Sequence, residues 1–141
     1  MKPRNFLSGL VIPLIFTVAF TGCEKDPDTL LTDGIWNFET LTTDSEDEDI
    51  HSLVALAKAL MTDATLEFQG AGTYIIDSPL MDNPTTGTWS LIGDDQLILD
   101  PDDELPSTAN IETLTKKELT YLETYSDMQM NPYTITTTWI R

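Results

Sequence analysis

The stretch TLEFQGAGTYIID, residues 65–77, contains two short runs of alternating apolar and polar side chains separated by a glycine-rich turn. Leu66 and Phe68 fall on one face of the first run, and Tyr74 and Ile76 fall on one face of the second. Period-two alternation that is rich in aromatic and β-branched residues is typical of half-buried strands. The stretch therefore predicts two antiparallel strands joined by a tight turn.

The same pattern recurs along the chain and predicts eight strands. Their ranges are 34–42, 64–69, 72–77, 86–92, 96–100, 109–114, 118–126 and 132–141. Tight connections follow the second, fourth and sixth strands, whereas long connections follow the first, third, fifth and seventh. Because alternate connections of an up-and-down meander lie at the same end, this order predicts an all-β, eight-stranded antiparallel barrel with a closed base and an open mouth. A two-sheet sandwich with Greek-key crossings gives no reason for such alternation.

Residues 45–61, between the first two strands, break the strand period. Apolar residues recur there at helical spacing, at Ile50, Leu53, Val54, Ala57, Leu60 and Met61. This stripe predicts one amphipathic helix that packs against the barrel or its mouth. Ser45 followed three residues later by Glu48 has the pattern of a capping box at the start of this helix.

Gly34-Ile-Trp36 on the first predicted strand resembles the G-x-W signature of the lipocalins. The resemblance implies that Trp36 closes the base of the barrel beneath a basic side chain from the end of the last strand. Arg141 is suitably placed, since an eighth strand antiparallel to the first would bring its C-terminus beside Trp36. An arginine over an indole is a cation–π contact that contributes about 0.5–2 kcal/mol.

Further phrases extend the resemblance to residues 33–141 as a whole, which are similar to the lipocalin-like domain of bacterial lipoproteins. They are TLEFQGAGTY at 65–74, GTWSL at 87–91 and IETLTKKEL at 111–119. The chain departs from the classical extracellular lipocalins in its shorter length, its lack of disulfides and the place of its helix. A fatty-acid or retinoid transport role therefore does not follow from the resemblance.

Residues 1–22 have the layout of a secretory signal. Lys2 and Arg4 precede an uncharged run over residues 6–20, and small residues then lead to Cys23, the only cysteine of the chain. A run of 15 residues is shorter than the roughly 20 that cross a bilayer. The segment is therefore expected to be removed.

Phe20-Thr21-Gly22-Cys23 resembles the lipobox of bacterial lipoproteins. The resemblance implies that Cys23 receives a thioether-linked diacylglycerol, that the chain is cut before it, and that the new amino group is acylated with a chain such as palmitate. It places the protein in the cell envelope as a lipid-anchored protein, most simply in the outer membrane, on either its periplasmic or its surface face. Residues 24–32 are predicted to be a short polar tether.

Acidic residues dominate the composition. The chain carries 24 acidic and 7 basic residues, a net charge of −17, and loss of residues 1–22 takes the net charge to −19. Such a surface repels phosphate backbones, so nucleic acid is not expected as a partner. Twelve of the 24 acids fall at the predicted mouth, which disfavours anionic ligands.

Histidine and cysteine, which many catalytic sites and zinc sites need, occur once each. His51 is the only histidine and is predicted on the polar side of the helix, and no G-x-S-x-G elbow, P-loop or dinucleotide motif occurs. A non-enzymatic protein without a cofactor is expected. A weak calcium candidate is the cluster Asp100, Asp102, Asp103 and Glu104. Solvated, solubilising loops are the other interpretation of these acids.

Two functions remain open on this sequence. In the first, the barrel interior holds a small apolar or neutral ligand between Trp36, Phe38, Phe68, Tyr74, Trp89, Tyr121 and Trp139. In the second, the barrel is solid, and its helix and acidic loops bind another envelope protein or a polysaccharide. A cavity of at least about 300 Å³ would favour the first. In both, the tether enters at the base, so the mouth is expected to point away from the membrane.

Overall fold

The computed structural model describes residues 25–141, which form a closed antiparallel barrel of eight strands in chain order together with two helices. The elements are α1 (Pro27–Thr32), β1 (Ile35–Thr43), α2 (Glu48–Leu60), β2 (Thr65–Gln69), β3 (Thr73–Asp77), β4 (Thr85–Ile92), β5 (Gln96–Pro101), β6 (Ser107–Leu114), β7 (Glu118–Ser126) and β8 (Pro132–Ile140). Each strand pairs with the next, and β8 pairs with β1. The predicted eight-stranded meander is confirmed. The predicted signal peptide, Cys23 and Glu24 lie outside the described residues.

The two ends of the barrel differ in their connections. Turns 70–72, 93–95 and 115–117 lie at one end, which we call the base. The other end, the mouth, carries the segment with α2 and the loops 78–84, 102–106 and 127–131. The predicted alternation of tight and long connections is confirmed. Within residues 25–141, no helix is long and apolar enough to cross a membrane.

Helix α1 corrects the prediction of a polar tether over residues 24–32. Pro27–Thr32 is helical, and Leu31 is completely buried in the barrel core. Pro27 lies in the first turn, where its fixed φ suits a helix and its missing N–H is not needed. Only residues 24–26 thus separate Cys23 from the folded domain.

The start of α2 differs from the predicted capping box. Asp47 is the N-cap residue, and its carboxylate accepts a hydrogen bond from the Asp49 N–H at 2.8 Å. Ser45 lies two residues earlier, and its hydroxyl oxygen accepts a hydrogen bond from the Asp47 N–H at 3.2 Å. An aspartate competes well with serine for this position, so the helix starts at Glu48.

The buried side of α2 is narrower than the predicted stripe. Val54 is buried, and Ile50, Ala57 and Met61 are half-buried. Leu53 and Leu60, which the stripe includes, are exposed because α2 lies along β1 and buries a single row of side chains.

A β-bulge in β1 changes which side chains face the barrel interior. The pairing of β1 with β8 shifts register between Phe38 and Thr40, so that Leu41 pairs with the buried Thr137. The alternation predicts Thr40 on the inner face of the barrel. The extra residue of the bulge turns Thr40 to the outer face instead. Its hydroxyl oxygen instead accepts a hydrogen bond from Lys58 Nζ of α2 at 2.9 Å.

Gly87 permits the close approach of β4 and β5. A Cβ atom there would lie 2.3 Å from the carbonyl oxygen of Asp100 and 2.7 Å from the Cα of Pro101. Both are backbone atoms, which cannot relieve the clash by a side-chain rotation. We expect Gly87→Ala to lower the free energy of unfolding by about 1–3 kcal/mol, as overpacking does. Chemical denaturation measures the change. Gly70→Ala is the matched control, because a Cβ at Gly70 meets no atom of the described residues within 4 Å. An equal effect of the two substitutions would contradict this explanation.

Candidate ligand-binding site

The base of the barrel is closed by the indole of Trp36, the guanidinium group of Arg141 and helix α1. Trp36 is fully buried, and its indole N–H donates a hydrogen bond to the Leu31 carbonyl oxygen at 3.0 Å. The Cζ atom of Arg141 lies 3.7 Å from the centroid of this indole. The guanidinium group also donates hydrogen bonds to the carbonyl oxygens of Asp33 and Leu30. These contacts close the barrel over Trp36 at its base.

The predicted interior residues separate into two groups. Trp36, Phe68 and Trp139 are at most 1% exposed and fill the core. Half-buried Phe38 packs edge-on against Trp139 at a centroid distance of 5.5 Å, and Trp89 packs edge-on against Phe68 at 5.3 Å. Four of these rings thus pack in two pairs, and Trp36 packs beneath Arg141.

Tyr74 and Tyr121 belong to the second group, because they line a cavity of about 630 Å³ that opens toward the mouth. Its remaining wall comes from β3 to β7 and the loop between β5 and β6. Half of the ten residues of this wall are apolar, namely Ile76, Leu99, Pro101, Leu105 and Pro106. Thr85 and Ser107 add hydroxyl groups, and Tyr125, Glu104 and Glu123 complete the lining.

The tyrosine hydroxyls report the electrostatic character of the cavity. Burial, reinforced by the charges of Glu104 and Asp102, raises the pKa of Tyr74 to about 12. Burial and the neighbouring Glu123 carboxylate raise the pKa of Tyr125 to about 12. The same two causes raise the pKa of Tyr121. An anionic group is therefore disfavoured at this end of the cavity.

Tyr121 has two further neighbours in the core. The Trp139 N–H and the Thr137 hydroxyl lie near its oxygen and act to lower its pKa, in opposition to burial. The Trp139 N–H nevertheless lacks a partner in hydrogen-bonding geometry among the described residues, although it is buried.

We expect the stability of the protein to fall as the pH rises from about 10 to about 12. A tyrosine whose pKa is raised in the folded protein keeps its proton at a pH where the unfolded chain has lost it. The stabilisation is therefore complete below the unfolded pKa near 10 and disappears as the pH passes the folded pKa. Urea unfolding at pH 9, 10.5 and 11.5 measures this slope. The free energy of unfolding of Tyr74→Phe should fall less steeply with pH than that of the wild type. An identical pH dependence would contradict the assignment of the effect to Tyr74.

The four acidic residues of the calcium candidate are not grouped together in the structure. Asp100 lies on β5 between the inward-facing Leu99 and Pro101 and so points outward, whereas Glu104 lines the cavity. The Asp102 carboxylate accepts a hydrogen bond from the Thr86 hydroxyl at 2.5 Å. Within residues 25–141, no three His, Cys, Asp or Glu side chains are grouped closely enough to hold a metal ion. His51 is exposed on α2.

Ten of the twelve cavity residues are absent from the predicted interior, among them Tyr125, Glu123, Glu104 and Leu105. The run YLETY at 121–125 did hold a signal for two of them, since alternation places Glu123 and Tyr125 on the same face as Tyr121. The loop residues had no comparable signal, because a loop lacks a fixed period.

A family model described as a lipocalin-like domain matches residues 32–121. The chain belongs to the lipocalin-like domain family. In this lipocalin-like domain the match includes Trp36 and Tyr121 but ends before Glu123, Tyr125 and the whole of β8.

One solved structure similar to this lipocalin-like domain is the crystal structure of a DUF4847 family protein from Bacteroides vulgatus. The two chains are 11% identical, with a TM-score of 0.48, and the alignment covers 78% of this chain and 95% of the other. No curated protein matches the sequence.

Proposed function

We propose that this lipocalin-like domain is a non-enzymatic binding module that holds one small, largely apolar molecule in the mouth half of its barrel. The observation that carries the proposal is the cavity of about 630 Å³. Small-molecule sites typically measure about 300–1,000 Å³ and combine apolar walls with a few polar groups, as this one does. The alternative of a solid barrel needs a filled interior, and the cavity favours the binding module over it.

The shape of the barrel supports entry from the mouth. Trp36, Arg141 and α1 close the base, and Phe68 and Trp139 are buried in the core. An eight-stranded barrel has room for one small ligand above such a core.

Binding of N-phenyl-1-naphthylamine, a neutral apolar fluorophore, to the full chain tests the proposal. Fluorescence in neutral detergent, after subtraction of protein-free micelles, should show one saturable site. Ser107→Trp fills the cavity and should weaken the binding at least about tenfold, because the ring would occupy the ligand volume. Thr108→Trp, on the exposed outer face of the same strand, is the matched control and should leave it unchanged. Equal binding by both variants would exclude the cavity as the site.

We further propose that the domain is a lipid-anchored envelope protein whose base faces the membrane. The residues between Cys23 and α1, 24–26, span at most about 10 Å at roughly 3.3 Å each. A lipid on Cys23 would therefore hold α1 and the base close to the bilayer. The mouth and its cavity would then face the aqueous side, which suits capture of a ligand from that side.

A further inference from the structure

We propose that the ligand of this cavity is an amphipathic organic cation, such as an ammonium group attached to an apolar or aromatic body. The inference rests on the proposed function and adds the charge of the ligand. It is carried by the side chains at the polar end of the cavity: the carboxylates of Glu123 and Glu104, and the rings of Tyr74, Tyr121 and Tyr125.

Glu123 is the central charge of this group. It is half-buried on the inner face of β7, two residues from both Tyr121 and Tyr125. It shares the cavity lining with Tyr74, Tyr121 and Tyr125, and its negative charge contributes to the raised pKa of all three tyrosines.

No basic side chain neutralises Glu123 within the described part of the chain. Among residues 25–141, the lining of the cavity contains no Lys, Arg or His. Lys25, Lys116, Lys117 and Arg141, four of the five basic residues in 25–141, lie at the base. The Glu123 carboxylate therefore has no cationic partner among the described residues, and a positively charged ligand would supply one.

Three aromatic rings accompany the carboxylates. Tyr125 stacks on Tyr133 at a centroid distance of 5.8 Å, which fixes the ring at the edge of the mouth, while Tyr74 and Tyr121 are held by the core. Aromatic faces beside a carboxylate recognise ammonium groups through cation–π and ionic attraction together. The apolar wall of Ile76 and Leu99 would hold the rest of the ligand.

The mouth outside the cavity has the same sign of charge. Acidic residues occur on all four of its long connections, for example Asp47, Asp82, Asp103 and Asp127. A rim of one sign raises the local concentration of cations and speeds their association, with an effect that salt screens.

The test compares three small compounds that share one aromatic ring: benzylammonium, benzyl alcohol and benzoate. Each competes with N-phenyl-1-naphthylamine for the full chain at neutral pH. We expect benzylammonium to bind at least about tenfold more tightly than benzyl alcohol, and benzoate to bind most weakly. Equal or tighter binding of benzyl alcohol would overturn the inference.

A substitution at Glu123 tests whether this carboxylate causes the preference for benzylammonium over benzyl alcohol. Glu123→Gln should weaken benzylammonium about tenfold and change benzyl alcohol by less than about twofold. Glu67→Gln removes the same charge from the exposed outer face of β2 and should change neither compound. If Glu123→Gln weakens both compounds equally, the carboxylate has only a structural role and the inference fails.

The two proposals fail in different ways. Saturable binding of N-phenyl-1-naphthylamine without a preference for benzylammonium would support the binding module and contradict the proposal that its ligand is a cation. Absence of any cavity-dependent fluorophore binding would overturn both.

Discussion

Replacement of Trp36 with alanine is expected to lower the free energy of unfolding by about 3–5 kcal/mol, the usual cost of deleting a buried tryptophan. The ring is fully buried and joins β1 to α1 through its hydrogen bond to Leu31. Its loss would leave a cavity in the core and remove the surface on which the Arg141 guanidinium lies. Chemical denaturation followed by far-UV circular dichroism measures the change.

Two companion variants test whether the loss of stability in Trp36→Ala comes from the closed base. Arg141→Met keeps an unbranched stem but removes the cation, so we expect a smaller loss of about 1–3 kcal/mol. Ile35→Ala changes the preceding residue, which is 53% exposed, and should alter stability by only about 0.5 kcal/mol. A Trp36→Ala variant as stable as Ile35→Ala would show that the base does not depend on the indole.

Replacement of Cys23 with serine is expected to abolish acylation completely. The thiolate is the nucleophile in the proposed attachment of lipid, and a serine hydroxyl at neutral pH is far less nucleophilic. In the producing cells, an alkyne-labelled palmitate should enter the wild-type chain and not Cys23→Ser. Mass spectrometry should find a wild-type chain that starts at residue 23 and a variant that retains residues 1–22.

The matched control for this experiment is Gly70→Ala, a surface change at the base that leaves Cys23 in place. It should take up the label as the wild type does. Label on Cys23→Ser, or an unmodified wild-type chain that retains residues 1–22, would contradict the lipid anchor.

The strands of the barrel could be predicted because each carries the period that its environment requires. In TLEFQ and TYIID, every second residue meets the core, so apolar and polar residues alternate and the register follows. The bulge after Phe38 was not predictable in this way, because one extra residue changes the facing of Thr40 and Leu41 without a signature of its own.

Both helices show where composition is ambiguous. α1 is six residues long, too short for a stripe, and its signal was the pair Asp26-Pro27 at its start. In the run SEDED at 45–49, both serine and aspartate are good N-caps, and only the packed structure selects Asp47.

The candidate site was partly visible in the sequence. Alternation placed Tyr74 and Tyr121 in the interior, and both line the cavity. It could not separate them from Trp36 and Trp139, because whether a ring fills the core or lines a cavity depends on its depth in the barrel and on the packing of its neighbours. Glu104 and Leu105 reach the site from a loop, whose path no periodicity describes.

The most direct test of the central claim, a closed base below a ligand cavity, is the position of a bound probe. Intermolecular NOEs from N-phenyl-1-naphthylamine to the full chain can measure it. We predict contacts from the probe to the rings of Tyr121 and Tyr125 and none to Trp36. Contacts to Trp36, or contacts only to the exposed Leu53 and Leu56 on α2, would contradict the account.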